Sequence, residues 1–256
     1  MSMEDQIILI DKPAGISSFG VVAKIRNQLK VEFGHKIKVG HTGTLDPFAT
    51  GLLILLSGKM TKKSNDFLKL DKVYEATLKL GYTSTTGDPE GEIKEYIQST
   101  ESTKIEEHKD KIYDFVAEGA KQCDKISDLS HCEASEIGGF CTLNNIQSTI
   151  NSFIGKIQQT PPKFSAIKIG GQRAYKLARK GEDFEIPPRQ IEIYSIDILS
   201  YNYPELKIRV HCSSGTYIRT LAEDIGKKLK TGAYLTALRR IKIGNYNIKD
   251  AKQLVL

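Results

Sequence analysis

Residues 189–201 read RQIEIYSIDILSY and residues 205–215 read ELKIRVHCSSG, and this pair of segments decides the fold class. Apolar and polar side chains alternate in both, the period of a strand with one buried face. The few residues between them leave no room for a helical crossover. TYIRTLAEDIGKKLK (216–230) then opens as a helix from a Ser-Ser-Gly turn, and TALRRIKIGNY (236–246) returns as a strand that closes the sheet. Strands that follow one another in this way predict an α+β protein, with a central mainly antiparallel or mixed sheet flanked by helices and loops.

The first half of the chain fits the same plan. IILIDKPAGISS (7–18) reads as a short buried strand, Ile7 to Ile10, ending in a Pro/Gly/Ser turn. In the next segment Val21, Val22, Ile25 and Leu29 fall at helical spacing, with Ser17 or Ser18 as the cap. KVYEATLKLG (72–81) alternates as a strand that buries Tyr74, Ala76, Leu78 and Leu80. KMTKKSNDFLKL (59–70) and LNNIQSTINSFIG (143–155) read as helices, KFSAIKIGG (163–171) as a strand and RAYKLARKG (173–181) as a basic helix.

Length and composition set the outer bounds. A chain of 256 residues, 39% hydrophobic and 27% charged, can bury a full core as one domain spanning 1–256. No run approaches the roughly 20 apolar residues that cross a bilayer. The opening MSMEDQIILI lacks a basic n-region, so a cytoplasmic location is expected. Cys123, Cys132 and Cys141 lie nine apart, unlike the close pairs of a zinc site, so neither metal nor disulfide framework is expected.

Charge is unevenly placed. Residues 99–150 hold 10 acidic and 5 basic side chains, while the remainder holds 32 basic against 21 acidic. A basic body with one acidic segment points to a polyanionic partner, nucleic acid first. The polar stretch 101–141 reads as an insertion rather than a domain with its own core.

P-loop, dinucleotide-binding, nucleophile-elbow and zinc-protease signatures are all missing, which leaves carboxylate, tyrosine and arginine as chemical tools. Asp46 sits in GHTGTLDP (40–47), directly before the aliphatic run Leu52 to Leu56. Asp before Pro is common in ordinary turns. It is also well placed as a reactive group, since loops on a rigid scaffold carry catalytic residues. A carboxylate with the ordinary pKa of about 3.9 is ionised at neutral pH and needs no base to act as a nucleophile. Arg219, in GTYIRT, is the residue type suited to hold it, though an isolated arginine there is more often a surface charge.

At these residues the sequence resembles the TruB family of tRNA pseudouridine synthases. GHTGTLDPFATGLL resembles the family's catalytic motif, DKPAGISS its N-terminal motif, and KVYEATLKLG the strand bearing its active-site tyrosine. CSSGTYIRTLAEDIG resembles its arginine motif, and GAYLTALRRIKIG the motif closing the catalytic domain. The resemblance implies the pseudouridine synthase fold and isomerisation of the T-loop uridine 55 of tRNA, without cofactor or metal. By the same resemblance Asp46 is the nucleophile, Tyr74 stacks on the target base, and Arg219 pairs with Asp46. Tyr217 and Leu238 line the base pocket, and His41 inserts into the RNA near the flipped base. Lys12 and the basic helix would contact the backbone; Asp88 matches a family position without an assigned role. A stand-alone monomer acting on the tRNA T arm, with no obligate protein partner, is the form implied.

Two departures stand out. No C-terminal RNA-binding domain of the PUA kind is evident, and the acidic stretch 101–141 exceeds the usual connection. Competing readings are a non-catalytic RNA-binding protein on the same scaffold and an interaction protein working through the acidic stretch.

Overall fold

The structure, a computed structural model, describes residues 4–97 and 142–254; the acidic stretch 101–141 and its three cysteines lie outside them. Strands β1 (Ile7–Lys12), β2 (Val39–His41), β3 (Thr50–Ser57), β4 (Lys72–Leu80), β7 (Gly155–Gln159), β10 (Arg189–Asn202), β11 (Glu205–Cys212), β12 (Ala233–Ile243), β13 (Tyr246–Asn247) and β14 (Lys252–Gln253) form one sheet. Its order is β14-β1-β3-β12-β4-β11-β10-β7, with β2 added to β3 and β13 to β12. The pairs β1/β14 and β3/β12 are parallel and the rest antiparallel, so the sheet is mixed, as the succession of strands predicts. Two small hairpins, β5 (Tyr82–Ser84) with β6 (Ile93–Glu95) and β8 (Lys168–Ile169) with β9 (Gln172–Arg173), stand apart.

Helices α1 (Ser18–Phe33), α2 (Ser64–Leu68), α3 (Leu143–Asn151), α4 (Ala174–Arg179) and α5 (Ile218–Lys228) complete the described residues, with 3₁₀ turns at Gly58–Lys63 and Ile248–Asp250. α1 starts because the Ser17 side chain accepts from the Gly20 N–H at 3.0 Å, and stops at Gly34, whose φ of 75° suits glycine. Its stripe Val21, Val22, Ile25 and Leu29 packs with Ile10, Leu53 and Leu55. The alternate residues of the same strand, Leu52, Ile54 and Leu56, pack with Met60, Phe67 and Ile243 in a separate cluster. β3 is thus buried on both faces, each leucine contributing roughly 2 kcal/mol.

The largest cluster joins β4, β10, β11 and β12 to α3 and α5 through Leu78, Ile146, Ile193, Ile208, Leu221 and Leu235. α5 approaches the start of β12 so closely that a Cβ on Gly226 would stand 2.2 Å from the Ala233 nitrogen. That contact fixes the helix whose first turn carries Arg219.

Two expectations need correction. TALRRIKIGNY does not close the sheet; as β12 it runs through the middle, between β3 and β4. KFSAIKIGG is not one strand, since only Lys168–Ile169 is extended and pairs back onto Gln172–Arg173. Gly170 and Gly171, at φ 54° and 83°, turn the chain at once, and the residues before Lys168 are pulled into a loop by bonds to Arg219 and Tyr175.

Candidate active site

The loop between β2 and β3 is held at every point that could let it move. Leu45 is buried, and the Ser18 hydroxyl both accepts from its N–H at 2.8 Å and donates to its carbonyl at 2.9 Å. The Pro47 carbonyl accepts from Gly15 N at 2.9 Å and from Lys12 Nζ at 3.1 Å. Ala49 N returns to the Asp46 carbonyl at 3.2 Å, closing a turn with Pro47 inside it. The Asp46 side chain is left facing outward, 32% exposed.

Asp46 Oδ2 lies 3.0 Å from Nε of Arg219, whose side chain is 5% exposed. Arg219 is itself immobilised: Nη1 donates to the Thr86 carbonyl at 3.0 Å and Nη2 to the Phe164 carbonyl at 2.9 Å. Its Nη1 also faces the buried carboxylate of Asp88 at 3.4 Å. Burial pushes the Asp46 carboxyl above its ordinary range, Arg219 opposes that shift, and Asp88 adds to it. The result is a poorly solvated carboxylate held against a guanidinium.

The other anticipated residues surround this pair. Tyr74 is buried on β4, opposite Arg240 of β12, and burial pushes its phenol upward, so it is a neutral ring at neutral pH. Leu238 precedes Arg240 on the same strand and shares a cluster with Tyr74 and Leu45. Tyr217 is the residue before α5, and the Gln159 side chain holds its backbone on both sides, Nε2 to the Tyr217 carbonyl at 3.1 Å and Tyr217 N to Oε1 at 2.8 Å. His41 ends β2, with Nδ1 accepting from Gly43 N at 3.4 Å. Burial, then Arg240 and Arg173, press its pKa down, so the ring is uncharged at neutral pH.

Residues 26–132 and 98–218 match the model of the TruB family pseudouridylate synthase N-terminal domain, and residues 219–255 that of the tRNA pseudouridylate synthase B C-terminal domain. The chain belongs to the TruB family. It is 41% identical over 248 residues to "tRNA pseudouridine synthase B" of Phocaeicola vulgatus, covering 96% of this chain and 89% of the relative. With the protein of that name from Aquifex aeolicus it shares 40% identity over 252 residues, covering 98% of this chain and 72% of the relative. Among solved structures, a chain of a Cbf5-Nop10-Gar1 complex superposes with TM-score 0.62 at 25% identity, over 98% of this chain and 53% of that one. This chain therefore spans about half the length of that solved neighbour.

The second TruB match is no separate body here. Residues 219–255 contain α5 and β12, so they supply Arg219 to the site and a strand to the middle of the sheet.

Three features of this TruB site were not foreseen. Asp88, left without a role, is the second carboxylate on Arg219. Arg240 is 1% exposed and donates Nε to the Leu52 carbonyl at 2.8 Å and Nη2 to the Gly43 carbonyl at 3.1 Å, bracketing the loop that bears Asp46. Its signal was in the alternation, since it lies two residues past Leu238 on the inward face. Gln159, the clamp on Tyr217, closes β7 as a buried polar residue.

Lys12 requires a correction. It is fully buried, and Nζ donates to the carbonyls of Pro13, Ile16 and Pro47 at 2.8, 2.8 and 3.1 Å. All three of its donors are engaged, so it ties two loops together rather than reaching for a phosphate. Burial lowers its pKa to about 8. The basic helix, by contrast, buries Ala174 and Leu177 and leaves Arg173, Lys176, Arg179 and Lys180 exposed.

Proposed function

We propose that this TruB member isomerises a uridine of tRNA to pseudouridine, at position 55 of the T arm, with Asp46 as the nucleophile. One observation carries the reading: the Asp46–Arg219 pair at 3.0 Å, on a loop clamped by Ser18 and Lys12. Relatives named tRNA pseudouridine synthase B, at about 40% identity over nearly the whole chain, support the tRNA substrate.

The reaction needs no external atoms. The C1′–N1 glycosidic bond breaks, the uracil turns while held, C1′ bonds to C5, and the C5 proton leaves as N1 gains one. Asp46, in its ionised form, attacks the ribose or the base to carry the fragment between the two bonds. Arg219 holds the carboxylate in its attacking direction and supports it in a site short of water. Tyr74 is the platform on which the base stacks, and Leu238 and Tyr217 enclose the base.

A stacked nucleotide is out of reach of Asp46, so it must be flipped, at a cost of a few kcal/mol. The uncharged ring of His41, on the same loop, fills the vacated place in the stack and offsets part of that cost. The exposed cations of α4 and its flanks meet the phosphates. The enzyme works as a monomer and as a single catalytic unit, in the cytoplasm with its tRNA.

The test is pseudouridine mapping in an unmodified tRNA transcript after incubation with wild type or Asp46→Asn. Modification at position 55, lost in the variant, is expected. A wild type that binds the transcript but forms no pseudouridine makes the chain an RNA-binding protein instead.

A further inference from the structure

The segment after β7 clasps the catalytic residues twice. Gln159 holds the backbone of Tyr217, and the Phe164 carbonyl accepts from Arg219 at 2.9 Å. Ser165 comes next. Its own carbonyl accepts from Tyr175 N at 3.0 Å, and the neighbouring Ile167 carbonyl from Ala174 N at 2.7 Å. The backbone is therefore pinned on both sides, by the catalytic arginine and by the start of α4.

The hydroxyl at this pinned position is anomalous. Ser165 is 5% exposed, and its Oγ is the buried side-chain polar atom without a hydrogen-bond partner among the described residues. The phenol of Tyr217 is its polar neighbour, and the hydroxyl works against the rise that burial imposes on that phenol's pKa. Folding normally pairs such a group, because an unpaired buried hydroxyl is costly. A flipped pyrimidine has the complementary problem. Enclosed by Leu45, Tyr74 and Leu238, it loses water from its carbonyl and N–H edge and needs new partners.

We infer that Ser165 touches substrate, its hydroxyl hydrogen-bonding the polar edge of the flipped pyrimidine beside Tyr217. The inference rests on the reaction proposed above. A serine suits the role because one hydroxyl can donate to a carbonyl or accept from an N–H.

The experiment compares wild type with Ser165→Ala in three measurements. Single-turnover pseudouridine formation on a tRNA transcript is expected to slow about tenfold, the size of one hydrogen bond. The melting temperature is expected to stay level or rise, because the deleted atom has no partner in the fold. Wild type is expected to bind a transcript with an intact target uridine several-fold better than one abasic at that position, and the variant to lose most of that preference. A variant as fast as wild type overturns the inference. So does a lowered melting temperature with equal loss of affinity for both transcripts, the behaviour of a residue that only supports the fold. If wild type itself forms no pseudouridine, the proposed reaction fails, and the two binding measurements still decide whether Ser165 meets a base.

Discussion

Asp46 receives the Nε edge of Arg219, the edge that leaves both Nη atoms to the Thr86 and Phe164 carbonyls. The arginine is thus fixed by the scaffold, and the carboxylate docks onto a cation already in place. Positioning is built before charge is added.

Asp46→Asn should reduce pseudouridine formation by at least about a thousandfold, the scale seen when a nucleophile is removed, without lowering stability at pH 7. Burial raises the folded-state pKa of Asp46 above its unfolded value. Its contribution to stability is then fully present below the unfolded pKa and is lost as pH rises through the folded one. Above the folded-state pKa, the ionised carboxylate is a net cost. Melting curves should show the variant level with or above wild type at pH 7, and the difference should shrink toward pH 4.

The acid limb of the rate profile should lie above the ordinary aspartate range of about 3.9, because the proposed reaction uses ionised Asp46 and burial resists ionisation. Asp88 adds to that resistance. Asp88→Asn should move the limb to lower pH while lowering the plateau by roughly tenfold to a hundredfold, since Arg219 loses its second carboxylate. Single-turnover rates from pH 4.5 to 8 measure both, and a limb that moves up instead would reverse the charge assignment.

Arg240→Lys should cost about 2–3 kcal/mol in urea unfolding, because an ammonium cannot reach the Leu52 and Gly43 carbonyls together as the guanidinium does. Arg240→Ala should cost more, about 3–5 kcal/mol. Activity should fall with either, since Gly43 belongs to the loop that bears Asp46, the proposed nucleophile.

Lys176→Gln and Arg179→Gln should each weaken tRNA binding and reduce the slope of log affinity against log salt by about 1. The rate at saturating enzyme should be unchanged. Both residues are exposed on α4, and titrations between 50 and 300 mM salt, on the order used to resolve such slopes, decide the matter.

Much of this was legible in the residues. The alternation in KVYEATLKLG put Tyr74 inside, and Ser17, the stripe Val21 to Leu29 and Gly34 mark α1 with a start, a face and a stop. Those signals are local, and local patterns carry the elements. The unforeseen parts depend on partners distant in sequence. Nothing near Lys12 says that three carbonyls wait for its ammonium, so a buried tie was taken for a phosphate contact. Asp88 and Arg219 become a pair only through the fold, and the place of β12 in mid-sheet follows from its parallel pairing with β3, which no spacing announces.

That pairing has a consequence for how the enzyme comes into being. A Cβ on Gly51 would sit 2.3 Å from the Arg240 carbonyl oxygen, so the two backbones meet where the Asp46 loop joins β3. During translation the loop bearing Asp46 emerges early, while Arg219 and Arg240 arrive close to the last. A ribosome-bound chain therefore carries the Asp46 carboxylate before the guanidinium that pairs with it and the strand that braces its loop. Only synthesis through Ile243 brings Asp46, both guanidiniums and the whole of β12 into one chain.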